Sequence, residues 1–114
     1  MVHTIDRVSL QQKMASPVPP LILEALPARY YADRHLPGAL HFPHDAAEQG
    51  AVRLLPERDA EIVVYCANVQ CGNSHLAAQR LDAMGYTRVS VYAGGKQDWD
   101  AAGLPFEASI PATA

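Results

Sequence analysis

The chain is poor in cysteine, with two among 114 residues, and poor in aromatic residues, at 7%. It also lacks any long apolar run and any cluster of one charge. Each scarcity excludes something. Two thiols are too few for the disulfide framework of a small secreted domain, so they point first to reactivity, metal binding or packing. No stretch approaches the roughly 18 apolar residues of a spanning helix. The opening "MVHTIDRVSLQQKMASPVPP" has no apolar run after a basic start, so neither a membrane segment nor a leader is expected, and the cytoplasm is the expected location. The nine basic residues are scattered from Arg7 to Lys96 and the net charge is -3, which argues against a nucleic-acid partner.

What is present is enough for one folded domain spanning 1-114, with 49% apolar and 18% charged residues. Residues 1-20 read as an N-terminal strand or helix followed by a stiff "SPVPP" connector, and residues 108-114 as a tail. Ser9 and Gln12 form a capping-box pattern that predicts a short helix from Ser9. "LILEAL" reads as a buried strand, and Pro27 suits the first turn of a helix. A turn at Pro37 and Gly38 precedes a brief strand over 39-41, and "HDAAEQG" predicts a short helix ended by Gly50. In "EIVVYC" the apolar positions are consecutive, as in a strand covered on both faces of a parallel sheet. Ala77, Leu81 and Met84 then fall on one helical stripe, with Ser74 as the expected N-cap and Gly85 as the stop. "RVSVY" predicts another strand, and "GGKQDWDAAG" a glycine turn leading into a short helix ending near Gly103. Strands alternating with helices predict an α/β domain, a mainly parallel sheet with helices on both faces.

Cys66 therefore falls at the carboxyl end of a buried strand, where open α/β sheets bind ligands. The segment from Ala67 through Asn68, Val69, Gln70, Cys71, Gly72 and Asn73 to Ser74 and His75 is long enough to curl. A curled loop feeding a helix N-terminus aims several N–H groups at one point and favours an anion there. A cysteine at that point is stabilised as thiolate, and the same donors hold a persulfide. Spacing alone leaves simple packing of Cys66 as an equal alternative.

Three segments carry more. "HLPGALHFP", "VVYCANVQCGNSHLAAQRLDAMGY" and "VYAGGKQDWDAAGLPFE" together resemble the single-domain rhodanese-like, or sulfurtransferase, family from about Leu21 to Glu107. The resemblance implies a three-layer domain with a central, mainly parallel sheet of about five strands and an active-site loop after the central strand. It implies Cys66 as the nucleophile, and it is closest to a subgroup with a second loop cysteine, here Cys71, followed by Ser74. It also implies a small sulfur donor and a thiol acceptor, either a protein thiol or a cellular reductant, and no cofactor or metal. Two departures stand out: no Arg or Lys occurs between Cys66 and Ala78, and Leu26 stands where an arginine follows the acidic Glu24. Both remove positive charge from a site that would hold a dianion such as thiosulfate.

The leading expectation is sulfur transfer through a Cys66 persulfide, with Cys71 either resolving it to a disulfide or packing beneath the loop. A non-catalytic binding module is the alternative. A phosphate or arsenate enzyme is disfavoured by the missing loop arginine, and a metal site built on Cys66, Cys71 and His75 falls short of zinc spacings. Outside the loop, His35, Gly94, Gly95 and Trp99 read as turn and packing positions, and Tyr30 and Tyr31 as core or rim. Asn68, Gln70, Asn73 and His75 are expected to brace the loop backbone.

Overall fold

The structure, a computed structural model, describes residues 2-108. The expected tail thus lies, apart from its first residue, outside the described residues. Five strands, β1 (Val2–Ile5), β2 (Leu21–Glu24), β3 (Leu40–His41), β4 (Ile62–Tyr65) and β5 (Val89–Tyr92), form one sheet in the order β1-β5-β4-β2-β3. Every pairing is parallel. β4 is central, with Leu21–Glu24 registered against it on one side and Val89–Tyr92 on the other, and its four residues are all buried. That double burial is why the sequence there is unbroken Ile-Val-Val-Tyr rather than alternating.

The side chains of β4 divide between two cores. Ile62 and Val64 pack with Leu23, Val89 and Val91 against α3 (Ala47–Leu54) and α4 (Asn73–Ala83), through Ala47, Ala51, Ala77, Ala78 and Leu81. Val63 and Tyr65 face the opposite side, with Ile22, Tyr92, Leu10 of α1 (Arg7–Met14) and Trp99 of α5 (Gly95–Ala101). Each fully buried aliphatic side chain contributes about 1.5–3 kcal/mol, so the sheet is held from both faces. A short α2 (Ala28–Asp33) completes the set. The Trp99 indole donates to the Pro105 carbonyl at 2.8 Å, and the His35 Nδ1 lies 2.8 Å from the Tyr31 carbonyl, so both are structural as expected.

Three local expectations are corrected. The first helix begins at Arg7, because Asp6 is the N-cap and its carboxylate accepts from the Ser9 N–H at 2.8 Å. That bond holds the Asp6 carboxyl below the usual carboxylate range. The second correction concerns α4, which starts at Asn73 with Gly72 as N-cap, leaving Ser74 inside the first turn. Third, Gly50 does not end a helix. A 3-10 turn, His44–Ala46, runs into α3, which continues through Gly50 to Leu54.

Gly50 is there because of the core beneath it: a Cβ at this position would stand 2.8 Å from the ring of Phe42, itself fully buried. Glycine to alanine inside a helix ordinarily stabilises by about 1 kcal/mol. Here Gly50→Ala is predicted to lower the melting temperature instead, with an overpacking cost of roughly 1–3 kcal/mol. A melting temperature above that of the native chain would refute the packing argument.

Candidate active site at the carboxyl end of the central strand

Glu24, Tyr65 and Tyr92 end three neighbouring strands in register, so the loops that follow share one edge of the sheet. Cys66 is the first residue beyond β4. Its position is fixed by the start of α5: the Lys96 N–H donates to the Cys66 carbonyl at 3.0 Å, and the Gln97 N–H to the Ala67 carbonyl at 2.8 Å. This approach is possible only over a glycine. Gly95 has φ +60°, and a Cβ on it would come within 2.3 Å of the Cys66 oxygen.

The side chain of Lys96 reaches back under the same strand ends. Its Nζ lies 3.0 Å from Glu24 Oε1 and donates to the Tyr30 carbonyl at 2.8 Å. The Tyr65 hydroxyl donates to Glu24 Oε1 at 2.7 Å and accepts from the Leu36 N–H at 3.0 Å. Burial, reinforced by the Glu24 charge, pushes the Tyr65 hydroxyl far above the ordinary phenol range, so it stays a donor. Glu24 is 0% exposed and its Oε2 has no partner, while Lys96 is buried as well. With Leu26 where the resemblance led one to expect an arginine, the cation beside Glu24 is Lys96, its ammonium committed to that carboxylate. Neither Lys96 nor Tyr65 figures among the residues the sequence singles out. The signal available was a carboxylate at a buried strand end without its neighbouring cation, and a lysine directly after a glycine pair at the same edge.

The thiol itself is 2% exposed. Cys66 Sγ lies 3.3 Å from the Cys71 carbonyl and 3.4 Å from Ser74 Oγ. A carbonyl can only accept, so the single thiol proton goes to Cys71 and the Ser74 hydroxyl is left to donate to sulfur. The Ser74 N–H also faces the sulfur. It belongs to the unpaired first turn of α4, whose first internal bond runs from the Leu76 N–H to the Gly72 carbonyl. Burial dominates nonetheless, and together with the neighbouring Cys71 side chain it pushes the Cys66 thiol above its ordinary value, against the pull of Ser74.

The expected ring of inward amides is thus only partly formed. Asn68 Oδ1 accepts from the Gln70 N–H at 3.0 Å and the Cys71 N–H at 3.2 Å, so those two donors close a turn on Asn68 instead of facing the thiol. Val69 and Gln70 point outward, as does His75, and Asn73 and Cys71 are half-buried. Both cysteines are free. Among the described residues, no group of three or more His, Cys, Asp or Glu side chains lies close enough together to hold a metal ion.

Residues 6–102 match the family model described as Rhodanese-like domain. The chain belongs to the rhodanese-like domain family. A protein named sulfurtransferase, from Allochromatium vinosum, is 31% identical over 114 residues, spanning 95% of this chain and 97% of that protein. The crystal structure of the Alr3790 protein from Anabaena sp. superposes with a TM-score of 0.80 at 27% identity, covering 94% of each chain. A thiosulfate sulfurtransferase from Pseudomonas aeruginosa gives 0.83 over 95% of this chain but 20% of that one; at 24% identity it shows the shared fold alone. The five-stranded parallel sheet with helices on both faces is the rhodanese-like architecture. No helix among the described residues is long and apolar enough to cross a membrane.

Lys96 supplies a test of the buried pair in this rhodanese-like domain. Lys96→Met leaves the Glu24 carboxylate buried without its cation and is predicted to cost about 3–5 kcal/mol. Adding Glu24→Gln is predicted to restore most of that loss, read as a double-mutant cycle in urea unfolding. Additive losses would show that the two side chains do not depend on one another.

Proposed function

We propose that this domain transfers a sulfane sulfur through a persulfide on Cys66. The observation that carries the reading is the Cys66 sulfur at the end of the central strand with the N–H and hydroxyl of Ser74, at the N-terminus of α4, turned toward it. A helix N-terminus favours the anionic forms of sulfur, and membership of the rhodanese-like family and likeness to a named sulfurtransferase support the same chemistry. In the first step the Cys66 thiolate attacks the outer sulfur of the donor. A sulfur–sulfur bond forms on Cys66, and the donor leaves as sulfite, from thiosulfate, or as a thiolate, from a persulfide. In the second step an acceptor thiolate or cyanide takes the terminal sulfur, and Cys66 returns as thiolate.

Charge guides the choice of donor. The loop contains no cationic side chain and the nearby ammonium of Lys96 is paired with Glu24, so a persulfide donor of low charge suits the site better than thiosulfate. The acceptor is a small thiol, a protein thiol or a cellular reductant, and the reducing cytoplasm is the compartment that keeps both cysteines free. Cys71, on the same loop, resolves the persulfide when no acceptor arrives: its thiolate attacks the Cys66 sulfur, a disulfide forms, hydrosulfide leaves, and a dithiol reductant reopens the bond. The burial of Cys66 favours a second reading, a binding module of the same family that does no chemistry.

Incubation with thiosulfate, mercaptopyruvate or glutathione persulfide, followed by intact-mass measurement, separates the readings. With no acceptor present, Cys71→Ser is predicted to gain one sulfur atom, the native chain to gain it and pass on to the Cys66–Cys71 disulfide, two hydrogens lighter than the starting chain, and Cys66→Ser to show neither change. Because the thiolate is the nucleophile and burial raises the Cys66 thiol, the rate should climb with pH to a midpoint above that of an ordinary thiol, about 8.5. A Cys71→Ser chain that gains no sulfur from any donor would leave the binding module standing.

A further inference from the structure

The Cys71 carbonyl sits 3.3 Å from the Cys66 sulfur and points a negative dipole end at it. That contact suits a neutral thiol, which donates its proton to the carbonyl. It opposes a thiolate or a persulfide, whose charge would face lone pairs with no proton between. The carbonyl belongs to the peptide linking Cys71 to Gly72, and the other end of that peptide carries the Gly72 N–H. Turning this one peptide over would replace an acceptor with a donor at the sulfur.

We infer that Gly72 is a positioning residue of the sulfur-transfer site, present so that the Cys71–Gly72 peptide can flip and aim the Gly72 N–H at the sulfur when Cys66 carries negative charge. This rests on the reading of Cys66 as the sulfur carrier. A flip rotates ψ of Cys71 and φ of Gly72 by about half a turn each and leaves the rest of the chain in place. Gly72 rests at φ -86°, ψ -6°. After the flip its φ is roughly +90° with ψ unchanged, the conformation of the third residue of a type II turn, which glycine occupies readily and L residues resist. The bonds that hold the loop on either side survive. The Cys71 N–H still donates to Asn68, and the Gly72 carbonyl still accepts from the Leu76 N–H at the start of α4. The flipped state surrounds the sulfur with three donors, the Gly72 N–H, the Ser74 N–H and the Ser74 hydroxyl. The two loop conformers are thereby linked to the charge on Cys66, the carbonyl-in form holding the thiol and the amide-in form holding the anion.

Sterics and backbone strain do not require glycine at this position: its resting φ is ordinary for any residue, and a Cβ added to it meets nothing within 4 Å. As the N-cap of α4, glycine is modestly preferred to alanine. A purely structural role therefore predicts that Gly72→Ala loses a little stability and leaves the thiol unchanged, whereas the flip predicts that it folds and fails at the thiol.

The test compares three full-length chains that differ only at position 72, carrying glycine, L-alanine or D-alanine, the last made by ligating a synthetic segment at Cys71. Thermal melting checks the fold. The readouts are the pH profile of Cys66 alkylation by iodoacetamide, resolved from Cys71 by peptide mass spectrometry, and the rate of sulfur uptake from glutathione persulfide. L-Alanine is expected to lower the melting temperature only slightly, as the loss of an N-cap glycine does, to move the alkylation midpoint to higher pH and to slow sulfur uptake roughly 100-fold, the loss typical of one donor removed from an anion hole. D-Alanine, which prefers positive φ, is expected to restore or exceed the glycine rates. Equal alkylation profiles for the two alanine enantiomers would overturn the inference. If the profiles separate in the expected order while no chain takes up sulfur, the flip stands and the sulfur-transfer reading is what fails.

Discussion

Two backbone hydrogen bonds govern the site: the amides of Lys96 and Gln97, opening α5, hold the carbonyls of Cys66 and Ala67. They tie the end of the central strand to the beginning of the helix that follows the neighbouring strand, over a glycine that could not be anything larger. With its backbone fixed there, Cys66 places its sulfur beside the first turn of α4. The Glu24, Tyr65 and Lys96 network lies under the same junction. A buried carboxylate with one oxygen unpartnered is an unfavourable thing to keep in a core, and it is held by the residue whose own amide clamps Cys66. The charge pair and the clamp are thus the side chain and the backbone of one residue.

Electrostatics around the thiol run in opposing directions. The N-terminus of α4 and the Ser74 hydroxyl favour negative charge on sulfur, while burial and the Cys71 side chain push the thiol upward and the Cys71 carbonyl accepts its proton. The resting loop is on the neutral side of that balance. On the proposed function, a sulfur carrier that waits as a buried thiol is shielded from oxidants. The missing loop arginine fits this picture, since a fixed guanidinium would hold the anion permanently, whereas movable peptide dipoles hold it only when it forms.

Most of the architecture was legible because it rests on burial patterns. The unbroken Ile62 to Tyr65 run, the Ala77, Leu81, Met84 stripe and the glycines at positive φ after α4 and at the start of α5 are local signals that tertiary packing did not override. The boundaries that moved did so for contacts invisible in the chain. Asp6 captured the Ser9 amide before the capping box could act, and Gly50 answered to Phe42 rather than to a helix end. In the loop, the position of Cys66 was legible and its surroundings were not. Whether a peptide presents N–H or C=O to a thiol depends on a rotation that carries no sequence signature except glycine, and the side chain of Asn68 diverted two amides that the loop length alone would have pointed inward.

The most direct measurement is a crystal structure of the Cys71→Ser chain, which cannot resolve a persulfide, after treatment with a persulfide donor. The account predicts a second sulfur atom bonded to Cys66 Sγ, with backbone N–H groups of the loop and the Ser74 hydroxyl directed at it. An unmodified Cys66 still facing the carbonyl of residue 71, with no added sulfur bound, would contradict it.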